Sequence, residues 1–138
     1  MSESGFDLCW VLLYTKPHAE IWAEANLRRQ GFVTLLPRVR RRGGFAPLFP
    51  RYLFAASRPG QPTEPLRHTR GVSYVVHCGP HPARVPGHVI DAVRARMDAH
   101  GVVVLDAAPA PDPLFAKAER ERLRTLEKLA RAGFRVVA

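Results

Sequence analysis

Apolar runs and segments with helical spacing follow one another along the first part of the chain. The segment Leu8 to Thr15 is an apolar run with aromatic residues, as expected of a central strand that is covered on both faces. His18 to Gln30 has helical spacing, with Ala19, Ala23 and Leu27 four residues apart on one stripe. The pattern therefore predicts a strand followed by a helix that packs against the core.

The rest of the chain continues with further strands and helices, separated by clusters of turn residues. The predicted segments are strands at 32–39, 47–57 and 72–77, a hairpin tip at 40–45, a loop at 58–65, helices at 89–99 and 114–132, and a linker at 106–113. This order, β-α-β-β-β-α and a helical tail, predicts an α+β fold with an antiparallel β-sheet flanked by helices. We expect one domain at 1–105, the linker, and a helical tail at 114–138.

The segment Pro47 to Phe54, PLFPRYLF, combines aromatic residues and prolines beside a basic cluster. Strand alternation would place Phe49, Arg51 and Leu53 on one face and Pro50, Tyr52 and Phe54 on the other. Both faces would then carry bulky apolar groups, and the prolines favour a sheet edge or a strand start. The residues leave two interpretations open: a surface on which a protein partner docks, or a strand covered on both faces by the domain's own helices.

The positive net charge of the chain favours a polyanionic partner. The 138-residue chain has a formal net charge of +9 and 46% apolar residues, so it combines a strong basic excess with enough apolar residues for a core. Most of its basic residues are arginines, which GC-rich coding would also produce. Because the arginines are clustered, we favour contact with nucleic acid over composition bias.

Two groups of polar residues have the right chemistry for nucleic acid. Arg38, Arg40, Arg41 and Arg42 lie at the predicted hairpin tip, where they would reach a phosphate backbone or simply stay solvated. A second group shares one face of the first predicted helix and has side chains suited to base edges. This second group contains Trp22, Asn26, Arg29 and Gln30, with Lys16 just before the helix.

Catalytic and metal-site patterns are weak. There is no GxSxG motif or phosphate-binding glycine loop, and the acidic residues form no pair framed by strand ends, so we expect neither an enzyme nor a cofactor. His77, Cys78, His81 and His88 have no standard ligand spacing, and we expect no metal site.

Cysteine usage and hydropathy indicate the compartment. Cys9 and Cys78 have no CxxC spacing and suggest free thiols in a reducing environment. The apolar run at 8–14 is too short to span a membrane and follows acidic rather than basic residues, unlike a signal peptide. We therefore expect a cytoplasmic protein with no membrane partner.

An ordered set of motifs resembles the N-terminal domain of the NusG family of transcription elongation factors. The matching segments are WVLLYTKP at 10–17, NLRRQGF at 26–32, PLFPRYLF at 47–54, TRGVSYVV at 69–76 and RVPGHVIDAVRAR at 84–96. The chain looks most similar to the RfaH-like antitermination factors within this family. The resemblance implies that the chain binds bacterial RNA polymerase and suppresses pausing or termination.

Site residues follow from this resemblance by position. An apolar pocket would bind the clamp helices of the largest polymerase subunit through Leu12, Tyr14, Phe49, Pro50, Tyr52, Phe54, Ile90 and Val93. Non-template or upstream DNA would be contacted by Lys16, Trp22, Asn26, Arg29, Gln30, Thr69 and Arg70, and by Arg40, Arg41 and Arg42 of the hairpin. We expect the free protein to be monomeric. A stand-alone RNA-binding module of another class remains the alternative.

The C-terminal part departs from the family pattern. Residues 114–138 are too few for the KOW β-barrel with which family members usually end, so we expect that barrel to be absent. By analogy with RfaH, the tail helix would cover part of the domain's apolar surface through Leu123, Leu126 and Leu129. Such a helix would be either a removable lid or a permanent packing element.

Overall fold

The fold is built on a four-stranded antiparallel sheet, seen here in a computed structural model that describes residues 8–105 and 112–134. The elements, in chain order, are β1 (Cys9–Thr15), α1 (Glu20–Arg29), β2 (Val33–Leu35), β3 (Arg38–Arg41), β4 (Gly44–Pro47), β5 (Tyr52–Ser57), α2 (Glu64–His68), β6 (Val72–Val75), β7 (His77–Cys78), β8 (His81–Pro82), α3 (Gly87–Ala95), a 3-10 turn (Pro113–Phe115) and α4 (Glu119–Arg131). The main sheet has the order β2-β5-β1-β6, while β3-β4 and β7-β8 are separate hairpins. The predicted α+β class is confirmed.

Strands β1 and β5 form the centre of the sheet and are buried on both faces. They pair antiparallel, with Leu12 opposite Phe54 and Tyr14 opposite Tyr52. Alternation sends Leu12 to one face and Leu13 to the other, and each is fully buried in a different core cluster. The prediction of a central, doubly covered first strand is thus correct.

One face of the sheet is covered by α1. Ala23 and Leu27 are fully buried there against Leu13 and Leu53, which confirms the apolar stripe predicted for this helix. The chain before β6 approaches α1 so closely that a Cβ on Gly71 would come within 2.9 Å of the Ala23 Cβ.

The opposite face is covered by α3 and by the C-terminal tail. Ile90 and Val93 of α3 are fully buried on this face. The tail adds the 3-10 turn and α4, whose buried apolar residues join the same cluster. These tail residues are Leu114, Phe115, Leu126, Ala130 and Phe134, the last lying just beyond α4.

The predicted strand at 32–39 is broken. β2 ends at Leu35, and the chain leaves the main sheet before β3 begins at Arg38. Pro37 lies at the break, where its missing N–H removes a possible ladder bond. β3 and β4 then form their own hairpin with Arg42 and Gly43 at the turn, close to the predicted tip.

The predicted strand at 47–57 is also two elements, and the predicted alternation of its first half is wrong. β4 ends at Pro47, a turn occupies 48–51, and β5 begins at Tyr52. The Tyr52 N–H donates to the Phe49 carbonyl and closes a turn, within which Arg51 has a φ of 74°. As a result Phe49 packs edge-to-face on Phe54, in the same core, instead of facing away from it. β5 is an interior strand of the sheet, so of the two places predicted for the prolines, a sheet edge or a strand start, Pro50 lies just before a strand start.

Smaller differences concern element ends. The predicted loop at 58–65 contains the start of α2, and the predicted strand at 72–77 ends at Val75 before the short β7. The second predicted helix starts earlier, at Gly87, and the tail helix starts later, at Glu119. Most of the predicted linker, at 106–111, lies outside the described residues, as do 1–7 and 135–138.

Candidate functional site

The apolar residues predicted for polymerase binding come together on one face of the sheet. Leu12, Phe49, Tyr52, Phe54, Ile90 and Val93 belong to a single core cluster, and Tyr14 packs against it. Pro50 is half-buried in the turn before β5. We call this surface the sheet–α3 face. It brings together residues far apart in sequence because β1 and β5 pair in register and α3 crosses the same side.

The C-terminal tail covers the sheet–α3 face. Leu126 is fully buried there, and Leu123 and Leu129 are partly buried against the same cluster. The prediction that these leucines lie on the domain's apolar surface is therefore confirmed. The face is consequently an internal surface in this arrangement of the chain.

Tyr52 links the two layers by a polar contact. Its hydroxyl donates to the Glu127 Oε2 of α4 at 2.8 Å, while its ring stays in the cluster. Burial raises the pKa of the Tyr52 phenol, and the hydrogen bond to the Glu127 carboxylate raises it further. Tyr52 therefore stays neutral and donates its hydroxyl hydrogen to Glu127 between the sheet and the tail helix.

Arg122 of α4 makes a second polar contact with the domain. Its guanidinium is almost fully buried and donates to the carbonyl oxygens of Leu48, Ala116 and Lys117 at 3.1, 2.7 and 2.9 Å. Burial lowers the pKa of Arg122, which still stays protonated. No role was predicted for Arg122 from the sequence, although its position four residues before Leu126 places it on the apolar stripe.

An aromatic rim borders the sheet–α3 face at Tyr14. The Tyr14 ring stacks on Tyr74, with centroids 4.8 Å apart, and meets Tyr52 edge-on at 5.2 Å. The Arg51 guanidinium lies over the Tyr14 ring, 4.3 Å from its centroid. Tyr74 is half-exposed and was not predicted, because its position opposite Tyr14 is only set by the register between β1 and β6.

The polar residues predicted on α1 form a connected group with the segment before β6. The Asn26 amide donates to the Arg70 carbonyl at 3.2 Å and accepts from Arg29 at 3.1 Å. Gln30 donates to the Thr69 hydroxyl at 2.8 Å. The structure thus brings Asn26, Arg29, Gln30, Thr69 and Arg70 together. We call them the α1 polar group.

Exposure differs within and around the α1 polar group. Thr69 is buried, whereas Arg29 and Arg70 are exposed at the surface. Lys16 is also exposed, and its backbone N–H donates to the Gly71 carbonyl beside the group. Trp22 lies one helical turn before Asn26 and is 53% exposed. The group and its neighbours Lys16 and Trp22 therefore present cations and one aromatic ring to solvent, while the Asn26 amide is already bonded at both ends.

The hairpin arginines belong to a separate two-stranded sheet. Arg40, Arg41 and Arg42 are all exposed, and Arg41 forms an ion pair with Glu119 of the tail. Phe45, on the partner strand, is 51% exposed and was not predicted as a site residue. Its signal in the sequence was an aromatic residue directly after the Gly-Gly turn.

The histidines and cysteines do not assemble into a metal centre in the described parts of the chain. Within residues 8–105 and 112–134, no three His, Cys, Asp or Glu side chains are placed to hold a metal ion. Likewise, none of the described helices is long and apolar enough to cross a membrane.

Comparison with known families adds the deciding observation. The family model described as "NusG: Transcription termination factor nusG" matches residues 8–94, well over half of the chain. The chain belongs to the NusG family. The match includes the sheet–α3 face and the α1 polar group and ends before the tail. NusG-family proteins are transcription factors that act with RNA polymerase during elongation and termination, which confirms the resemblance at the level of the family.

Proposed function

We propose that this NusG-family protein is an RfaH-like elongation or antitermination factor that binds the clamp helices of bacterial RNA polymerase. The observation that carries the proposal is the clustering of the predicted contact residues on one apolar face, within the family match. The α1 polar group and the hairpin arginines then contact non-template or upstream DNA.

The sheet–α3 face suits a helical partner. In the closed arrangement it already accommodates an amphipathic helix, α4, which buries Leu126 and Ala130 against it. Helix-in-groove binding uses such apolar anchors at helical spacing. A polymerase helix would take the place of α4, so the tail and the polymerase exclude each other.

This exclusion makes the tail a lid. If only the open form binds polymerase, the apparent Kd equals the intrinsic Kd divided by the fraction of molecules that are open. Once bound, a factor that binds one clamp state more tightly shifts the polymerase population toward that state. Preference for the closed clamp would shift it away from paused states.

Contact with DNA is proposed for the exposed cations. Lys16, Arg29 and Arg70 are available for phosphate oxygens, and Trp22 is exposed for stacking. Because the Asn26 amide is bonded to Arg70 and Arg29, its part is to hold the α1 polar group in place.

The experiment compares binding of the full chain to purified bacterial RNA polymerase for three proteins. Leu126→Gln loosens the lid, because a polar amide replaces a fully buried leucine. Arg124→Gln introduces the same side chain on the exposed side of α4 and is the matched control. We expect tighter binding for Leu126→Gln, by about tenfold if the lid is weakened by roughly 1.4 kcal/mol, and no change for Arg124→Gln.

A further variant locates the contact. Tyr14→Asp, combined with Leu126→Gln, changes a partly buried rim residue and is expected to weaken polymerase binding, with folding checked by circular dichroism. Equal binding by wild type and Leu126→Gln would refute the lid. No polymerase binding by any variant, with nucleic-acid binding retained, would favour the stand-alone nucleic-acid module.

A further inference from the structure

We propose that Phe45, flanked by Arg38 and Arg40, is a stacking platform for one unpaired base of a DNA strand. The inference deepens the proposed function, because it assigns a base contact to a hairpin for which only phosphate contacts were predicted. It rests on the geometry of the β3–β4 hairpin.

Two guanidinium groups border the Phe45 ring. Arg40 is the direct cross-strand partner of Phe45, and the guanidinium carbons of both Arg38 and Arg40 lie 5.3 Å from the ring centroid. These distances are within the range of cation–π contacts. Both guanidinium groups lie over the ring and hold it on one face of the hairpin.

The hairpin is anchored through its other face. Val39 lies between the two arginines in sequence and is buried in the core of the sheet–α3 face. Because side chains alternate along a strand, Arg38 and Arg40 point away from that core. Arg38 also donates to the His100 carbonyl, which ties the base of the hairpin to the body of the domain. Phe45 is therefore held on a fixed element, with 51% of its surface exposed.

Phosphate contacts are available beside the ring. Arg42 is exposed at the turn and forms no hydrogen bond or ion pair with any residue in the described ranges 8–105 and 112–134. A backbone phosphate on Arg42 would leave the adjacent base near Phe45. An aromatic ring with neighbouring cations is the combination that binds single strands without reading their sequence.

The platform should distinguish unpaired from paired bases. Bases inside a duplex are already stacked on their neighbours, so a protein ring must pay for unstacking before it can contact them. The hairpin therefore favours a single strand or the open end of a duplex. Its ring and Arg42 are exposed while the tail is docked, so the test needs no opening of the lid.

The experiment measures binding of labelled single-stranded DNA to the full chain by fluorescence anisotropy. Three further probes are an abasic strand of the same length, a duplex, and single-stranded RNA of the same sequence. We expect Phe45→Ala to weaken binding to single-stranded DNA by about tenfold, and Phe45→Leu to weaken it similarly because leucine has no aromatic face. Binding to the abasic strand should not change in either variant.

Two controls separate stacking from charge and from folding. Arg42→Gln should weaken binding to the intact and the abasic strands equally, because it removes a phosphate contact. Val104→Ala, at a 74% exposed apolar residue of the segment that pairs with the base of the hairpin, removes no aromatic ring and no charge and should change neither. Thermal unfolding of each variant checks that the domain carrying the hairpin is folded.

Several outcomes would overturn the platform. They are an unchanged affinity in Phe45→Ala, an equal loss on the abasic strand, or recovery in Phe45→Leu. Tighter binding of RNA than of DNA would reassign the strand to a transcript and refute the DNA platform. Polymerase binding is measured separately. Base-dependent DNA binding without polymerase binding would contradict the proposed function but support the stacking platform.

Discussion

Tyr52 contacts the core of the domain through its ring and the tail helix through its hydroxyl. The ring packs in the sheet–α3 cluster, and the hydroxyl donates to Glu127 of α4. The ionisation of this one phenol therefore reports whether the tail is docked.

We predict that Tyr52 ionises only well above its ordinary pKa of 10.0. Because the folded-state pKa is raised, the stability contributed by this group is complete below 10.0 and is lost as the pH rises beyond that value. Tyrosinate absorbance of wild type minus Tyr52→Phe, followed against pH, isolates the residue. Glu127→Gln keeps an acceptor but removes the charge, so the pKa of Tyr52 should fall part of the way. Ionisation of Tyr52 at its ordinary pKa in wild type would mean that α4 is not docked in solution.

At the scale of elements, the contact between β6 and α1 depends on one glycine. Gly71 has a φ of +97° and lies against the backbone of α1, where a Cβ would come within 2.9 Å of the Ala23 Cβ and 3.0 Å of its Cα. Those atoms belong to a helix and cannot move aside as a flexible side chain would.

We predict that Gly71→Ala destabilises the domain by roughly 2–4 kcal/mol, from left-handed strain together with overpacking. Gly79→Ala is the matched control, because Gly79 also has a positive φ, of +63°, but has no neighbour within 4 Å of an added Cβ. Its cost should be about 1 kcal/mol from strain alone. Denaturant unfolding of both variants checks the difference, and equal losses would show that the contact with Ala23 is not tight.

The sequence predicts those elements whose pattern is set locally. The apolar run of β1 and the stripe of Ala23 and Leu27 on α1 are found in the structure as expected. The breaks at Pro37 and Arg51 were not predicted, because alternation assumes that a strand continues in one sheet. Where the chain changes sheets depends on long-range pairing, which no local pattern contains.

The candidate site was likewise predicted in part from the sequence, and the rest depends on long-range contacts. Leu12, Tyr52 and Phe54 were predicted from their positions in the family motifs, and the structure brings them to one face. The role of Arg122 was missed because an arginine on a surface helix is ordinarily solvated. Phe45 was missed because its significance depends on the cross-strand pairing with Arg40.

At the scale of the whole molecule, the net charge of +9 and the apolar face predict two kinds of binding. Affinity for single-stranded DNA should fall steeply with salt, with a log–log slope of about −2 to −3 for three to four neutralised phosphates. Affinity of Leu126→Gln for polymerase free of nucleic acid should change much less, because apolar burial dominates that contact. Titrations at several salt concentrations compare the two slopes. Equal steep slopes would indicate a single electrostatic mode and contradict an apolar polymerase contact.

The buried guanidinium of Arg122 has a consequence for how firmly the tail is held on the domain. Three carbonyl oxygens solvate it, and in the described ranges no carboxylate lies within ion-pair distance of it. Hydrogen bonds to carbonyls replace only part of the hydration that such a cation loses on burial. When the tail leaves the domain, Ala116 and Lys117 leave with it, so the contact that Arg122 loses is the one to Leu48, and water takes the place of that carbonyl. An arginine at this position therefore holds the tail less firmly than a well-packed apolar residue of similar volume would.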